Sequence, residues 1–219
     1  MKRLQILTQI QKEFLNFFAK SKLSEEFYLT GGTALAEYYI PYRNSEDLDF
    51  FSEEEISKEA IVVFLRSIKR KLNYITYDEN TSFNRNIFIL SFKDYLLKTK
   101  FTYFPFPQVE TPKVIDGVKV DSIIDIAVNK LFTIYQKPRL RDFMDLYMIC
   151  RKYDFSLDEL GKKARIKFDW NIDLLKLGSQ FLLVKDLKDF PRLISPMHNN
   201  DWQEFFLKEA KKLKEEIMM

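Results

Sequence analysis

The sequence contains few of the residues that build disulfides, histidine-based metal centres and flexible loops. Its 219 residues include one cysteine, one histidine and five glycines. The single cysteine, Cys150, excludes an intramolecular disulfide and suits a reducing compartment. The single histidine, His198, excludes a metal cluster built from several histidines. No apolar run reaches the length of a membrane-spanning helix, and the first residues lack the continuous apolar stretch of a signal peptide. We therefore expect a cytoplasmic protein.

The residues that are present indicate a globular chain. Hydrophobic residues make up 46% of the sequence and charged residues 31%, which is typical of a folded protein rather than a disordered one. The formal net charge of +3 permits a polyanionic partner such as nucleic acid, but does not require one.

The hydrophobic periodicity changes near residue 120. Before that point the pattern predicts helices and strands in mixture, with helices at 4–18, 33–40 and 54–72, strands at 26–30, 46–52, 73–79, 85–92 and 96–104, and a hairpin at 113–120. After it the pattern is helical at 121–136, 139–153, 156–168 and 200–219. We predict an α+β fold, with a mixed β-sheet flanked by helices at residues 1–120 and a C-terminal helical lobe at 121–219 that completes the active site.

Two aspartates, Asp47 and Asp49, alternate with Leu48 and Phe50 in the predicted strand at 46–52. Residues i and i+2 of a strand point to the same face about 7 Å apart, so both carboxylates lie on one side while the apolar residues face the core. Two close carboxylates repel each other unless a cation lies between them, and Mg²⁺ (or Mn²⁺) with phosphate oxygens suits such a pair. A solvated edge strand is the alternative explanation for this pattern alone.

The glycine pair Gly31-Gly32 lies between a short predicted strand and a predicted helix that starts at Thr33. Backbone N–H groups at a helix N-terminus attract phosphate, and the Thr33 hydroxyl is a further donor. An ordinary tight turn is the alternative. Together with Asp47 and Asp49, the glycines predict an anion site beside a metal site, which is the combination that phosphoryl chemistry needs.

Lys130 lies on the apolar face of the predicted helix at 121–136, among the apolar residues at positions 123, 127, 131 and 134. A lysine there either extends to solvent or meets an anion inside the protein. The next helix carries Asp142 and Asp145, which are adjacent on one face because they are three residues apart. Near the helix start, Asp142 suits a partner of the helix dipole, whereas Asp145 suits a partner of an inward-facing base.

These two blocks of sequence resemble the AbiEii-type nucleotidyltransferase toxins of abortive-infection and toxin–antitoxin systems, within the polymerase-β-like nucleotidyltransferase superfamily. The first block, residues 31–51, holds the Gly-Gly turn, a short helix and an Arg-x-Ser-x-Asp-x-Asp-Phe run that begins at Arg43. The second, residues 129–149, holds Lys130 and an Arg-Asp-x-x-Asp run that begins at Arg141. Both blocks occur in the family's order, and the resemblance covers residues 27 to 150.

The resemblance implies a nucleotidyltransferase fold that binds an NTP and Mg²⁺ and transfers NMP to an acceptor hydroxyl. It places the metal on Asp47 and Asp49. It assigns nucleotide binding to Gly31, Gly32, Thr33, Arg43, Ser45, Lys130 and Arg141, and completion of the catalytic site to Lys130 with Asp142 or Asp145. An RNA acceptor, with the tRNA 3′ end as the most attractive candidate, and a cognate antitoxin protein are the partners that the resemblance implies.

One departure from the superfamily pattern leaves alternatives open. Many members carry a third metal-binding carboxylate on a later strand, where this chain has lysines and threonines at residues 96–104. Either Asp142 or Asp145 replaces that group, or the base is missing. A non-catalytic nucleotide-binding module that acts through a protein partner is therefore an alternative to the enzyme. A D-x-D glycosyltransferase explains Asp47 and Asp49 but not the glycines or the second block.

Overall fold

The computed structural model describes residues 6–194 and 200–218, so Leu4 and His198 lie outside the described residues. The chain divides into two compact units. The first unit runs up to Pro107 and includes Thr111–Ser122. The second unit contains Gln108–Glu110 and the residues from Ile123 onward.

The first unit is built on a seven-stranded mixed sheet with helices, so the prediction of an α+β fold is confirmed. Its helices are α1 (Gln9–Phe18), α2 (Leu23–Glu26), α3 (Gly31–Ala34), which continues as a π-helix at Leu35–Tyr39, and α4 (Lys58–Leu72). Its strands are β1 (Tyr28–Thr30), β2 (Leu48–Ser52), β3 (Thr76–Ser82), β4 (Arg85–Ser91), β5 (Leu96–Tyr103), β6 (Lys113–Ile115) and β7 (Val118–Val120). The strand order is β3-β4-β5-β2-β1-β7-β6.

Buried and partly exposed residues alternate along β2 and β5, which gives these strands one apolar face and one polar face. Leu48 and Phe50 in β2 are fully buried, as predicted, and Phe101 in β5 is almost fully buried. Phe50 stacks on Phe101 with ring centroids 5.0 Å apart and contacts Phe18 of α1 at 4.4 Å. Such aromatic pairs contribute about 0.5–1.5 kcal/mol each beyond the area that they bury. This aromatic core fixes which face of β2 carries Asp49.

Three helices differ locally from the sequence prediction. The helix predicted at 4–18 begins instead at Gln9, and the Thr8 hydroxyl caps it by accepting a hydrogen bond from the Gln11 N–H. The helix predicted from residue 54 begins instead at Lys58, because the Ser57 hydroxyl caps it by accepting a hydrogen bond from the Ala60 N–H. The helix predicted at 33–40 is a single α-turn followed by a π-helix. These changes are shifts in backbone hydrogen bonding that side-chain periodicity does not report. The hairpin predicted at Asp116-Gly117 is confirmed, since both residues have positive φ, 51° and 79°.

The second unit is helical. It comprises α5 (Ile123–Gln136), α6 (Leu140–Tyr153), α7 (Leu157–Phe168), α8 (Leu174–Leu182), a 3₁₀ turn at Leu183–Lys185, and α9 (Asp201–Met218). The four predicted C-terminal helices correspond to α5, α6, α7 and α9, whereas α8 was not predicted. Cys150 is buried in α6, and burial raises the pKa of its thiol to about 12, so it is no nucleophile at neutral pH.

A buried ion pair ties three segments of the second unit together. Lys167 of α7 contacts Asp125 of α5 with 2.6 Å between Nζ and Oδ1, and both side chains are almost completely buried. The same carboxylate accepts hydrogen bonds from the N–H groups of Val109 and Glu110 at 2.8 and 3.0 Å. Residues 108–110 therefore belong to the helical unit although the residues on both sides of them belong to the sheet.

None of the helices in the described residues combines the length and the hydropathy that crossing a membrane requires.

Candidate functional site

Strand pairing brings polar residues of the first block together on the central strands of the sheet. β1 runs antiparallel to β2, with Thr30 opposite Asp49. On the other side β5 runs parallel to β2, with Lys100 opposite Asp49. The Gly31-Gly32 turn follows β1 directly and therefore lies beside Asp49. Residues from three separate stretches of sequence meet here because of this register.

The acidic pair, Asp47 and Asp49, is bridged by a lysine. Nζ of Lys100 lies 2.6 Å from Oδ2 of Asp47 and 2.9 Å from Oδ1 of Asp49. One ammonium reaches both carboxylates because they point the same way, as the i and i+2 spacing predicts. The strand itself is shorter than predicted, since β2 begins at Leu48 and Asp47 directly precedes it. The two carboxylates are partly exposed, with about a quarter to a third of each side chain accessible to solvent.

The glycine turn, Gly31 and Gly32, lacks side chains where its neighbours come close. Gly31 has φ of +70°, and a Cβ there would lie 3.2 Å from Oδ2 of Asp49. A Cβ on Gly32 would lie 2.3 Å from Nη2 of Arg43, which is closer than any real contact. The pair is thus explained by two demands, a left-handed backbone at Gly31 and space for a guanidinium at Gly32.

The loop before β2 is held by buried polar side chains. Arg43 is buried, and its Nη1 donates to the Asn44 carbonyl at 2.9 Å. The Thr33 hydroxyl, also buried, donates to the Asp47 carbonyl and is hydrogen-bonded to the Ser45 hydroxyl at 2.8 Å. The Gln11 amide of α1 donates to the carbonyls of residues 45 and 46 at 3.2 and 3.0 Å. These bonds fix the backbone that leads into the acidic pair.

The acidic pair has the donor chemistry of a magnesium site. Carboxylate oxygens are hard ligands, and Mg²⁺ in enzymes is commonly held by one or two carboxylates together with water and substrate phosphates. Oδ1 of Asp47 and Oδ2 of Asp49 are not used by Lys100. Within residues 6–194 and 200–218, no group of three acidic, histidine or cysteine side chains forms a complete metal site. Asp47 and Asp49 are the residues that could hold such an ion.

The second sequence block forms a charge cluster in the helical unit, in which Lys130, Asp142 and Asp145 are buried and Arg139 is exposed. Nζ of Lys130 lies 2.6 Å from Oδ1 of Asp142 and 2.6 Å from Oδ2 of Asp145. Nε of Arg139 lies 2.8 Å from the other oxygen of Asp142. Lys130 therefore meets anions inside the protein and does not extend to solvent. Two positive charges balance two negative ones.

The charge on Asp142 is maintained by its neighbours. Burial acts to raise the pKa of its carboxyl, but the positive charges of Lys130 and Arg139 outweigh burial and hold this pKa below its ordinary value. The negative charge of Asp145 opposes them only in part. Asp142 is therefore ionised at neutral pH.

The predicted residues fall into two groups, one in each unit. The sheet unit brings together Gly31, Gly32, Thr33, Arg43, Ser45, Asp47 and Asp49. The helical unit brings together Lys130, Asp142 and Asp145, while Arg141 is exposed on α6. The catalytic and nucleotide-binding roles assigned to these residues from the resemblance stay predictions.

Sequence reasoning missed Lys100 and Gln11 as parts of the site. The position of Lys100 on the polar face of β5 was only weakly indicated by the sequence, where it alternates with Thr99 and Phe101, which are buried in the structure. Its partner strand could not be identified from periodicity alone. Gln11 lies among apolar residues in α1 and is fully buried. A polar side chain on the apolar face of a helix indicates a buried hydrogen-bonding partner, and this pattern could have identified Gln11.

Comparisons with known proteins place the chain in a recognised group. The family model described as "Nucleotidyl transferase AbiEii toxin, Type IV TA system" matches residues 13–215. An uncharacterized protein of Aquifex aeolicus (strain VF5), aq_aa25, is 28% identical over 213 residues, which cover 94% of this chain and 96% of that protein.

Solved structures share the fold. The crystal structure of JHP933 from Helicobacter pylori has a TM-score of 0.62 and 21% identity, with 96% of this chain and 91% of that chain covered. A second H. pylori crystal structure has a TM-score of 0.61 and 23% identity, with 96% and 94% covered. At these identities the likeness concerns the fold.

Proposed function

The chain belongs to the AbiEii nucleotidyl transferase toxin family of type IV toxin–antitoxin systems, and from this membership we propose a Mg²⁺-dependent nucleotidyl transfer at the acidic pair. The membership confirms the resemblance carried by the two sequence blocks, and with it the enzyme class. The substrate, the metal and the roles of single residues go further and form the proposal.

The observation that carries the proposal is the arrangement of the acidic pair beside the glycine turn in one unit. Asp47 and Asp49 offer carboxylate oxygens on one side, and a Cβ on Gly31 would lie only 3.2 Å from Oδ2 of Asp49, so the glycine turn lies close to this pair. The guanidinium of Arg43 lies against Gly32. A triphosphate placed here would meet a bound cation, backbone N–H groups and a fixed positive charge, and positioning with charge neutralisation is most of what phosphoryl chemistry requires.

The reaction forms one P–O bond and breaks another. The oxygen of an acceptor hydroxyl attacks the α-phosphorus of the NTP, the bond from the α-phosphorus to the bridging oxygen breaks, and pyrophosphate leaves with the electron pair. The acceptor's proton is released to solvent. Asp47 and Asp49 would hold a divalent ion, which would neutralise the negative charge that develops on the phosphates. Arg43 orients the triphosphate, while Thr33 and Gln11 keep the loop in place.

An RNA 3′ end is the acceptor that we propose, with tRNA first, and a cognate antitoxin is the proposed protein partner. The family's type IV toxin–antitoxin description supports the partner, and the net charge of +3 permits the RNA. A protein hydroxyl and a small-molecule hydroxyl are the other acceptors to be tested.

A module that binds nucleotide without transferring it is the second candidate function. The bridge made by Lys100 favours it, because an ammonium takes one oxygen from each carboxylate that a metal would use. Such a module would bind NTP and gain stability from it without releasing pyrophosphate.

The test uses purified protein, Mg²⁺, total tRNA and each NTP labelled at either the α- or the γ-phosphate. Asp49→Asn removes one carboxylate charge from the acidic pair at constant size. Asp78→Asn makes the same change on the exposed strand β3 and is the matched control. We expect α-label to appear on the RNA with wild type and Asp78→Asn, and a loss on the order of a hundredfold or more with Asp49→Asn.

The other outcomes separate the candidates. Transfer of γ-label alone identifies a kinase and contradicts the proposal. Label on the protein or on a small molecule instead of RNA supports nucleotidyl transfer but contradicts the acceptor. If no label moves while NTP still raises the melting temperature, the binding module is the correct function.

A further inference from the structure

Lys100 bridges the two carboxylates that the proposed function assigns to a metal ion. Its Nζ lies 2.6 Å from an oxygen of Asp47 and 2.9 Å from an oxygen of Asp49, so it contacts one oxygen of each carboxylate. An ammonium and a divalent ion both seek negatively charged oxygens at short range. One oxygen of each aspartate is therefore already committed to a cation that belongs to the chain.

The fold directs this lysine at the acidic pair. Asp49 and Lys100 are direct neighbours across the parallel strands β2 and β5. Thr99 and Phe101 are buried on the opposite face of β5, so Lys100 lies on the face that carries the aspartates. Only about 15% of its side chain is exposed. The contact is set by strand register, which distinguishes it from a chance pairing of two flexible surface side chains.

We propose that Lys100 is an internal counter-ion that competes with divalent metal for the acidic pair, so that the metal binds tightly only together with nucleotide. The first half, competition between Lys100 and the metal, concerns the chain and the metal alone. The second half rests on the proposed function, because it requires an NTP at this site.

Charge explains both halves of the inference. The two carboxylates carry two negative charges and Lys100 cancels one, so a free metal ion meets a site of reduced charge and reduced ligand number. A triphosphate brings several further negative charges and its own oxygens as metal ligands. The ammonium then has a second anion to pair with, and the metal recovers the ligands that Lys100 holds. Metal and nucleotide binding are thus positively coupled, and by linkage the coupling is the same in both directions.

The experiment measures Mn²⁺ binding from the loss of the free-ion EPR signal, without nucleotide. Lys100→Met removes the charge and keeps an unbranched side chain. Lys98→Met is the matched control, because Lys98 is two residues away in β5 and also half-buried. We expect Lys100→Met to bind Mn²⁺ about tenfold or more tightly than wild type, which is the effect that one close unit charge has on a neighbouring ionisation. Lys98→Met is expected to bind like wild type.

Two further variants assign the signal to the acidic pair. The double variant Lys100→Met with Asp49→Asn is expected to lose the gain, because one carboxylate of the pair no longer carries charge. Lys100→Arg keeps a cation in place and is expected to bind Mn²⁺ as weakly as wild type. Circular dichroism of each variant shows whether it is folded, and Lys100→Arg keeps the comparison informative if Lys100→Met is unstable.

The inference is overturned if Lys100→Met binds Mn²⁺ no more tightly than wild type, or if the gain survives in the double variant. Adding a non-hydrolysable NTP analogue tests the second half, since wild type should then approach the affinity of Lys100→Met. Tighter Mn²⁺ binding by Lys100→Met without any label transfer supports the counter-ion and contradicts the proposed function. Label transfer by wild type, with a Mn²⁺ affinity that is unchanged in Lys100→Met, supports the proposed function and contradicts the counter-ion.

Discussion

At the scale of single residues, three lysines in the described part of the chain face inward and pair with aspartates. Lys100 contacts a partly exposed pair of carboxylates at the edge of the site. Lys130 and Lys167 contact carboxylates that are almost completely buried. Removing one partner of a buried ion pair leaves an uncompensated charge and costs about 3–5 kcal/mol, far more than the same change at the surface. The buried pairs are therefore structural whatever else they do.

Lys130→Ala tests this structural role. We expect it to lower the free energy of unfolding by about 3–5 kcal/mol, because Asp142 and Asp145 lose the ammonium between them. Lys162→Ala breaks an exposed pair with Asp158 and is expected to change stability by less than about 0.5 kcal/mol. Urea unfolding of both variants measures the difference. Equal losses would contradict the structural role and would restore Lys130→Ala as a clean probe of catalysis.

Asp142 predicts a pH dependence of stability. Its folded-state pKa lies below the ordinary value near 3.9, so its stabilising contribution is complete above that value and is lost as pH falls through the folded-state pKa. We expect the stability difference between wild type and Asp142→Asn to be constant from about pH 5 to pH 8 and to shrink below about pH 4. Urea unfolding at a series of pH values measures it. A difference that grows toward acid contradicts the ionised carboxylate.

At the scale of elements, the site depends on a short turn and on strand register. The glycine turn joins β1 to α3 with φ of +70° at Gly31, and Thr30 opposite Asp49 fixes where the turn lies. A residue with a Cβ adopts this backbone at a cost. Gly161 lies in α7 with open space around it, so no neighbouring group requires a glycine at this position.

Alanine at these two glycines is expected to act in opposite directions. Gly31→Ala should lower stability by about 1 kcal/mol or more, because it strains the backbone and crowds Oδ2 of Asp49. Gly161→Ala should raise stability by about 0.5–1 kcal/mol through better helix propensity. Thermal and urea unfolding of the two variants give the comparison. If Gly31→Ala proves neutral, the turn is not under the constraint described.

The sequence was sufficient for most elements and for the acidic pair, because alternation and helical spacing are local signals. Leu48 and Phe50 are buried and the two aspartates share a face as predicted. The short amphipathic helix α8 was missed, and Lys100 was not assigned to the site. The contact of Lys100 with Asp47 and Asp49 joins residues more than fifty positions apart, and it arises from strand order, which local patterns do not contain.

At the scale of the whole molecule, two compact units each organise one block of the family's sequence. The sheet unit presents the acidic pair, the glycine turn and Arg43 together. The helical unit holds its own balanced charge cluster around Lys130. The function that we propose needs the chemistry of the first group directly. Variants at the acidic pair are therefore cleaner tests than variants at Lys130, whose loss affects folding.

The most direct measurement is the ratio of pyrophosphate released to nucleotide incorporated, with wild type and with Asp49→Asn under identical conditions. We predict one pyrophosphate for each nucleotide transferred by wild type, and loss of both products together in a variant that keeps its fold. Unchanged release of both products by Asp49→Asn would contradict the claim that Asp47 and Asp49 form the centre of the reaction, and so would the absence of pyrophosphate from wild type.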